Sequence, residues 1–216
     1  MNLILIGSSG AGKGTQIDNL ITSFGLVHFS PGNLFRQHIK KRAALGFIAQ
    51  KYIGRGDLVP DEVVDAMLEE WLGLTDPGQG IVFDGFPRTT EQAEFLDKLF
   101  KEASRSLTTV IYLKASESVI LKRLTGRRAC SLCNDHFNEE SDPFTTCLYN
   151  KCVGEHLHAL DDKSDIIRTR LQAFQGEIKP LLSYYGAQGK LVIVDAECSV
   201  EEVQKAITNA LKASKP

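Results

Sequence analysis

The sequence of 216 residues lacks any long apolar run, and no stretch approaches the roughly 20 apolar residues that span a bilayer. Its first residues also lack the basic region and the longer apolar segment of a secretory signal. Neither sign of charge is in excess, because 25 basic residues face 27 acidic ones and the net charge is −2. We therefore expect a cytoplasmic protein without membrane or nucleic-acid partners.

Internal repeats and low-complexity tracts are also missing. The composition is that of a globular protein, with 43% hydrophobic and 24% charged residues. Nothing in the pattern resembles a large apolar interface, and we expect a monomer.

Five short apolar runs alternate with helical patterns and predict an α/β fold. The runs are continuous, as in parallel strands with both faces covered, and they lie at residues 3–6, 26–29, 81–83, 110–113 and 191–194. Apolar residues recur at helical spacing from Ile17 to Phe24, with Gly25 as a C-cap, and Ser199 and Glu202 form a capping box. This order predicts a five-stranded parallel sheet flanked by helices.

Two segments interrupt the alternation of strand and helix. Residues 30–60 carry helical patches and no strand, and residues 126–160 lack helical periodicity and contain a cysteine cluster. We interpret both as inserts at the edges of the sheet.

The segment 7–15 (GSSGAGKGT) contains the spacing of a phosphate-binding loop, G-x-x-x-x-G-K, between the first strand and the first helix. Glycines let backbone N–H groups surround phosphate oxygens, the helix N-terminus favours negative charge, and Lys13 adds a point charge. Gly14 stands where many such loops place a magnesium-binding hydroxyl, so Thr15 is the candidate for that role.

Asp84 follows the third apolar run, next in sequence to Gly85, Phe86, Pro87 and Arg88. An acid at the carboxyl end of a parallel strand lies beside the phosphate loop and can hold Mg²⁺ through water, and Arg88 is placed to bind a phosphate. As a turn sequence alone, the same residues would carry no function.

Four further arginines are candidates for neutralising phosphate charge, because phosphoryl transfer depends on positioning and on cations. Arg36 lies in the first insert, Arg123 and Arg127 are four residues apart on one predicted helix, and Arg170 follows the second insert.

Four of the five cysteines, Cys130, Cys133, Cys147 and Cys152, lie within 23 residues. Their spacing is that of a structural Zn²⁺ site, and a cytoplasmic setting disfavours disulfides. His136, His156 and His158 lie close enough in sequence to compete as ligands. We expect Cys198, outside the cluster, to be a small buried residue.

Together these motifs resemble the adenylate kinases of the bacterial type with a long lid, over residues 1 to 211. The resemblance rests on the phosphate loop, Asp84 to Arg88 with Gln92, Gly126 to Arg128, and the pair Asp161–Asp162 followed by Arg170. It implies a core of 1–29, 61–125 and 161–216, a nucleoside-monophosphate-binding insert at 30–60 and a lid at 126–160. It also implies reversible transfer of a phosphoryl group from Mg²⁺-bound ATP to AMP.

The resemblance further assigns roles to individual residues. The catalytic set is Lys13, Arg36, Asp84, Arg88, Arg127 and Arg170. The ATP site is Gly10, Ala11, Gly12, Lys13, Gly14, Thr15, Arg123, Arg127, His136, Phe137 and the backbone near Cys198. The AMP site is Pro31, Arg36, Asp57, Leu58, Val59, Gly85, Phe86, Pro87, Arg88, Gln92 and Arg170. Some lids of the family carry Zn²⁺ on four cysteines, as the cluster here suggests.

Two departures from the family pattern keep alternatives open. Ala159 stands where the family has a lid arginine, and Pro31 stands where it has a threonine beside the AMP base. The alternatives are a kinase for another nucleoside monophosphate, a nucleotide-binding regulator with weakened activity, and a zinc-ribbon nucleic-acid module on a phosphate-loop core. The acidic balance argues against the last.

Overall fold

A computed structural model gives the architecture. It describes all residues except 54, 56, 131, 133–135, 139–155, 158–163 and 214–216. Within that part of the chain, no helix is both long enough and apolar enough to cross a membrane.

A five-stranded parallel sheet forms the centre of the molecule, as predicted. Its strands are β1 (Asn2–Ile6), β2 (Val27–Phe29), β3 (Ile81–Asp84), β4 (Thr109–Lys114) and β8 (Leu191–Asp195), in the order β2-β3-β1-β4-β8. Strands β2 and β3 lie on one side of β1, and β4 and β8 lie on the other. Ligands bind at such a switch in strand order, beyond the carboxyl ends of the strands. The register places Leu5 opposite Asp84.

Helices connect the strands and cover both faces of the sheet. They are α1 (Lys13–Phe24), α2 (Pro31–Lys40), α3 (Ala44–Ile53), α4 (Asp61–Gly73), α5 (Thr90–Glu102), α6 (Glu117–Thr125), α7 (Ser164–Ala187) and α8 (Val200–Ala213). The predicted caps are present: Gly25 ends α1 in the left-handed conformation, and Ser199 and Glu202 exchange hydrogen bonds before α8. The fold is therefore the α/β fold of phosphate-loop nucleotide-binding proteins.

An aromatic cluster fills the core on one side of the sheet. Phe29 is fully buried, and its ring centroid lies 5.1 Å from that of Trp71, 5.6 Å from Phe83 and 5.7 Å from Phe86. Rings at such distances and tilts attract each other beyond the area they bury. The cluster thus fixes the carboxyl ends of β2 and β3, from which the candidate site begins.

The first irregular segment is helical, as expected. Ser30 caps α2 by accepting from the backbone N–H of Asn33, and Pro31 occupies the first helical position. Helices α2 and α3 cross very closely, because a Cβ on Gly46 would lie 2.5 Å from the backbone of His38.

The second segment contains a small antiparallel sheet that the sequence did not predict. Strand β5 (Arg127–Cys130) pairs with both β6 (His136–Asn138) and β7 (His156–Leu157). The register places Ala129 opposite His136 and Cys130 opposite His156.

Acidic side chains crowd the first turns of α4. Asp61 and Glu62 suit the helix N-terminus, but Asp65 lies one turn later on the same face as both. One carboxylate oxygen of Asp65 is buried and has no hydrogen-bond partner among the described residues. Desolvation and the negative charges of Asp61 and Glu62 raise the pKa of Asp65 to about 6.

Replacing Phe29 by Ala should lower the free energy of unfolding by about 3–5 kcal/mol, because a buried ring with aromatic neighbours leaves a cavity. Chemical denaturation measures the loss. The control is Leu74→Ala, since Leu74 is 84% exposed and its removal should cost less than about 0.5 kcal/mol. Equal effects of the two changes would contradict the assignment of the core.

The charge on Asp65 should destabilise the fold at neutral pH. The pKa of about 6 in the folded protein exceeds the ordinary value of 3.8, so the folded state binds the proton more tightly. Stability from this group is present at low pH and is lost as the pH rises through 6. We expect Asp65→Asn to raise the melting temperature at about pH 8 and to lose this advantage near pH 4, whereas the exposed Glu70→Gln should shift little at either pH. An advantage that does not depend on pH would count against the charge effect.

Candidate active site

The loop between β1 and α1 has the shape of an anion cradle. Gly10 and Gly12 adopt positive φ angles of 84° and 94°, which side chains with a Cβ rarely reach. A Cβ on Gly10 would also lie 2.9 Å from Cγ of Leu124, so α6 packs directly on the loop. Ala11 is buried, and Gly14 and Thr15 are exposed in the first turn of α1. Backbone N–H groups at this helix start can bind phosphate.

Lys13 folds back over the loop. Its Nζ donates to the carbonyl oxygen of Gly7 at 2.8 Å and to that of Ser8 at 3.0 Å. The ammonium group is thus held at the mouth of the cradle by backbone oxygens.

Asp84 lies at the carboxyl end of β3, beside the start of the phosphate loop. Its Oδ2 is 3.6 Å from Nε2 of His28 and 3.5 Å from the hydroxyl of Ser30. Desolvation alone would raise the pKa of Asp84, but the contact with His28 and the charges of Lys13 and Arg88 outweigh it and hold the pKa below its ordinary value. The carboxylate is therefore ionised at neutral pH.

Charged groups from distant parts of the chain converge on Lys13, and Asp84 is one of them. Desolvation lowers the pKa of Lys13; the Asp84 carboxylate opposes that shift, and the charges of Arg88, Arg127 and Arg170 reinforce it. These residues come from the phosphate loop, the turn after β3, strand β5 and helix α7. The prediction that Arg127 shares a helix with Arg123 was wrong, because α6 ends at Thr125 and Arg127 begins β5.

The first insert contributes one more cation to this group. Arg36 on α2 acts electrostatically on Arg88, as Arg170 does. Its Nη2 donates to Oδ1 of Asn33 at 2.6 Å. The structure therefore brings together all six residues that the resemblance assigned to catalysis.

Arg88 is oriented by its neighbours. Its Nε donates to the carbonyl oxygen of Gly85, whose φ is 64°, at 2.9 Å. Its backbone N–H donates to Oε1 of Gln92 at 2.7 Å, and Nε2 of Gln92 donates to Asp61 at 2.7 Å. Gln92 is only 3% exposed, so its amide holds the turn of Arg88 rather than facing the cleft.

Helix α6 joins the phosphate side of the site to the loop after β8. Arg123 donates from Nη2 to the carbonyl oxygen of Ala196 at 2.9 Å, and its own carbonyl accepts from Nδ2 of Asn138 at 2.8 Å. At the other end of α6, the N–H of Ser116 donates to Glu197 at 2.7 Å. Hydrogen bonds from Ser116 lower the pKa of Glu197.

The other residues assigned to the AMP site differ in exposure. Pro31 and Val59 are buried, Leu58 is half-buried and Asp57 is exposed. Phe86 is 1% exposed within the aromatic cluster, and Pro87 is buried too, so only their backbone can face a ligand.

One expectation about the cysteines was wrong. Cys198 is exposed, because it lies in the loop between β8 and α8 just before the capping serine. Cys133, Cys147 and Cys152, like Ala159, lie outside the described residues. Cys130 is buried at the end of β5, and no cluster of three or more potential metal ligands occurs within the described part of the chain. For His136 and Phe137 only the backbone, in β6, is described.

Sequence reasoning missed the residues that support the site. His28, Ser30 and Asp61 hold Asp84 or the turn of Arg88, and Asn138 and Glu197 hold the two ends of α6. The motif around Asp84 gave no signal for them, because their partners are 15 to 81 residues away. The sequence offered a sign for His28 alone, because a polar residue is unusual in a short apolar run such as that of β2.

Comparison with known proteins agrees with this geometry. The family model for adenylate kinase matches residues 5–190. An adenylate kinase of Carboxydothermus hydrogenoformans is 38% identical over 213 residues, which cover 98% of this chain and 100% of that protein. Those of Salinispora tropica and Bacillus subtilis are 39% and 36% identical, and each alignment covers at least 98% of both chains.

The resemblance inferred from the motifs is thus confirmed over nearly the whole length of the chain. The structure of the chain is in agreement with this: its parallel sheet carries a phosphate loop, an ionised acid beside the loop, and arginines that converge on it. The chain belongs to the adenylate kinase family, and it is a nucleoside monophosphate kinase.

Proposed function

We propose that the protein transfers the terminal phosphoryl group of ATP reversibly to AMP, giving two molecules of ADP. The observation that carries the proposal is the convergence of Asp84, Arg88, Arg127 and Arg170 on Lys13 at the phosphate loop. Transfer between two phosphates passes through a transition state with charge spread over several oxygens, and fixed cations stabilise it.

The ATP side is the cradle at the start of α1. Backbone N–H groups of Gly10, Ala11, Gly12, Gly14 and Thr15 bind the phosphates, and Lys13 exchanges its two carbonyl partners for phosphate oxygens. Arg123 and Arg127 lie beyond the outer phosphates. His136, Phe137 and the backbone around Cys198 border the base and the ribose.

The AMP side lies between α2, the segment before α4 and the turn after β3. Arg36, Arg88 and Arg170 bind its phosphate, since guanidinium groups match phosphate oxygens in pairs. Pro31, Leu58 and the backbone at Gly85 to Pro87 line the base. Val59 and Gln92 are buried and act by holding these segments in place.

Mg²⁺ bound with ATP would neutralise part of the phosphate charge. The donor set fits a hard cation that keeps its waters: Asp84 is ionised, and the hydroxyl of Ser30 lies 3.5 Å from it. Asp84 would hold the ion through its waters, and His28, 3.6 Å from the carboxylate, would help to orient Asp84. Thr15 offers an exposed hydroxyl on the loop side.

The two inserts are proposed to close over the substrates. Residues 30–60 carry Arg36 to the AMP phosphate, and residues 126–160 carry Arg127 to the transferred group. Closure removes water, which would otherwise accept the phosphoryl group.

One observation supports a nucleoside monophosphate other than AMP as the acceptor. Pro31 is buried at the first position of α2, and proline offers neither a hydroxyl nor an N–H to the acceptor base. A base other than adenine can therefore occupy that position without losing a hydrogen bond to this residue. Assays with AMP, CMP, GMP and UMP as acceptors distinguish the two cases: AMP should give the highest kcat/KM, and a higher value for another acceptor would replace it as the substrate.

Replacing Lys13 by Met should abolish transfer with little effect on folding. Within the described part of the chain, the side chain donates hydrogen bonds to two loop carbonyls. In the complex it would carry charge stabilisation worth about 10³-fold in kcat. A coupled assay of ADP formation measures the rate, and thermal melting checks the fold. Lys98→Met, on the exposed face of α5, is the matched control and should keep full activity. A fast Lys13→Met enzyme would refute the role of the loop.

We also propose a structural Zn²⁺ held by Cys130, Cys133, Cys147 and Cys152. The buried thiol of Cys130 at the end of β5 suits a closed site, and strand pairing places it opposite His156, which is then the competing ligand. The metal would tie together a segment that is too short to form its own core.

Metal analysis of the purified protein should find about one Zn²⁺ per chain. Cys133→Ser should lose the metal and lower the melting temperature, because three thiolates hold Zn²⁺ less firmly than four. Cys198→Ser removes an exposed cysteine outside the cluster and should retain the metal. A metal-free parent with unchanged melting in a chelator would rule the site out.

A further inference from the structure

The total charge of the chain is nearly balanced, but the charged residues are distributed unevenly along the sequence. Between Asp18 and Asp57 there is no acidic residue, although acids make up 27 of the 216 residues. The same stretch holds six basic residues: Arg36, Lys40, Lys41, Arg42, Lys51 and Arg55. Because the whole chain has a net charge of −2, the remainder carries a charge of −8.

Most of these cations are not explained by phosphoryl transfer. Arg36 belongs to the site through its electrostatic contact with Arg88. Lys40, Lys41 and Arg42 are exposed at the connection between α2 and α3. Arg42 is held there in a left-handed turn with φ 52°, closed by the N–H of Ala43 donating to the carbonyl of His38.

Two large apolar side chains are exposed in the first turns of α3, next to these cations. Phe47 is 58% and Ile48 43% exposed, and they are the one adjacent pair among the large exposed apolar residues in the described part of the chain. Lys51 follows one helical turn later on the same face.

Another face of α3 packs against the core of the molecule. Leu45, Ala49 and Tyr52 recur at helical spacing and pack against the core, and Ala49 is fully buried. Phe47 and Ile48 are not among the residues that pack against the core in the described part of the chain. The close crossing at Gly46 holds both sets of residues on one rigid tip.

We infer that this tip, formed by Lys40, Lys41, Arg42, Phe47, Ile48 and Lys51, docks on the surface of a bilayer that contains anionic phospholipid. Anionic headgroups complement a segment free of acids, and each Lys or Arg near such a surface raises the partition coefficient about fivefold. Phe47 and Ile48 are placed to enter the interface between headgroups and acyl chains.

The apolar pair favours a bilayer over a nucleic acid. Proteins that bind single strands stack bases on several aromatic rings between their cations, whereas this tip has a single aromatic ring beside an isoleucine. An aliphatic side chain gains little from a base edge but gains from hydrocarbon. The balanced charge of the whole chain concealed this local excess and led to the expectation of no membrane partner.

Sedimentation of the full chain with lipid vesicles tests the proposal. We expect binding to vesicles of phosphatidylcholine with phosphatidylglycerol, and none to phosphatidylcholine alone. Raising the salt from about 0.05 to 0.5 M should weaken binding by at least tenfold, because it screens the surface charge.

Two variants of the tip separate its two components. Lys40→Gln/Lys41→Gln/Arg42→Gln should weaken binding about 10²-fold at low salt, since three contributions of about fivefold are lost. Phe47→Ser/Ile48→Ser should weaken binding about tenfold and to a similar extent at both salt concentrations. Both variants should keep the parent kinase rate in solution, which shows that they fold.

The matched control removes three positive charges elsewhere. The variant is Lys98→Gln/Lys101→Gln/Lys205→Gln, whose three lysines lie on the exposed faces of α5 and α8. It should bind vesicles as the parent does. Equal losses in the control and the tip variants would overturn the proposal. So would the absence of binding at low salt, or binding to a single-stranded RNA oligonucleotide without binding to vesicles.

Discussion

The structure depends on placing several positive charges around one carboxylate. Among the described groups that act on Lys13, Asp84 is the one negative charge against three arginines. Like charges at such positions repel, so the scaffold must hold them there before any phosphate arrives. The parallel sheet does so by putting the end of β3 beside the end of β1, and the aromatic cluster below makes that edge rigid.

A layer of polar supports turns this edge into a site with fixed orientations. Asp61 holds Gln92, which in turn holds the backbone of Arg88, while His28 and Ser30 face Asp84. None of these supports need touch a nucleotide. Their role is to keep the guanidinium and the carboxylate in the geometry that the transition state requires, so that little reorganisation is needed during the reaction.

Much of the fold was predictable because it is encoded locally. The apolar runs fixed the five strands to within a residue or two, and Gly25 and Ser199 marked helix ends through their own chemistry. The phosphate loop was predictable because its spacing is rigid, whereas the set of six charged residues came from the resemblance to the adenylate kinases. The supporting partners and the exposure of Cys198 were not, because they depend on which distant segments meet. The small sheet of β5, β6 and β7 was missed for a related reason, since two of its strands have only two or three residues.

The hydrogen bonds of Lys13 have a consequence for how tightly nucleotides bind. The carbonyls of Gly7 and Ser8 act as an internal competitor for the ammonium group, so an arriving phosphate must displace them. The measured affinity is then a difference between two sets of interactions, and it is smaller than the strength of the phosphate interactions alone. Without a nucleotide, these hydrogen bonds keep the ammonium group at the phosphate loop. They also favour product release, because the two carbonyl oxygens accept hydrogen bonds from Lys13 again as the nucleotide leaves.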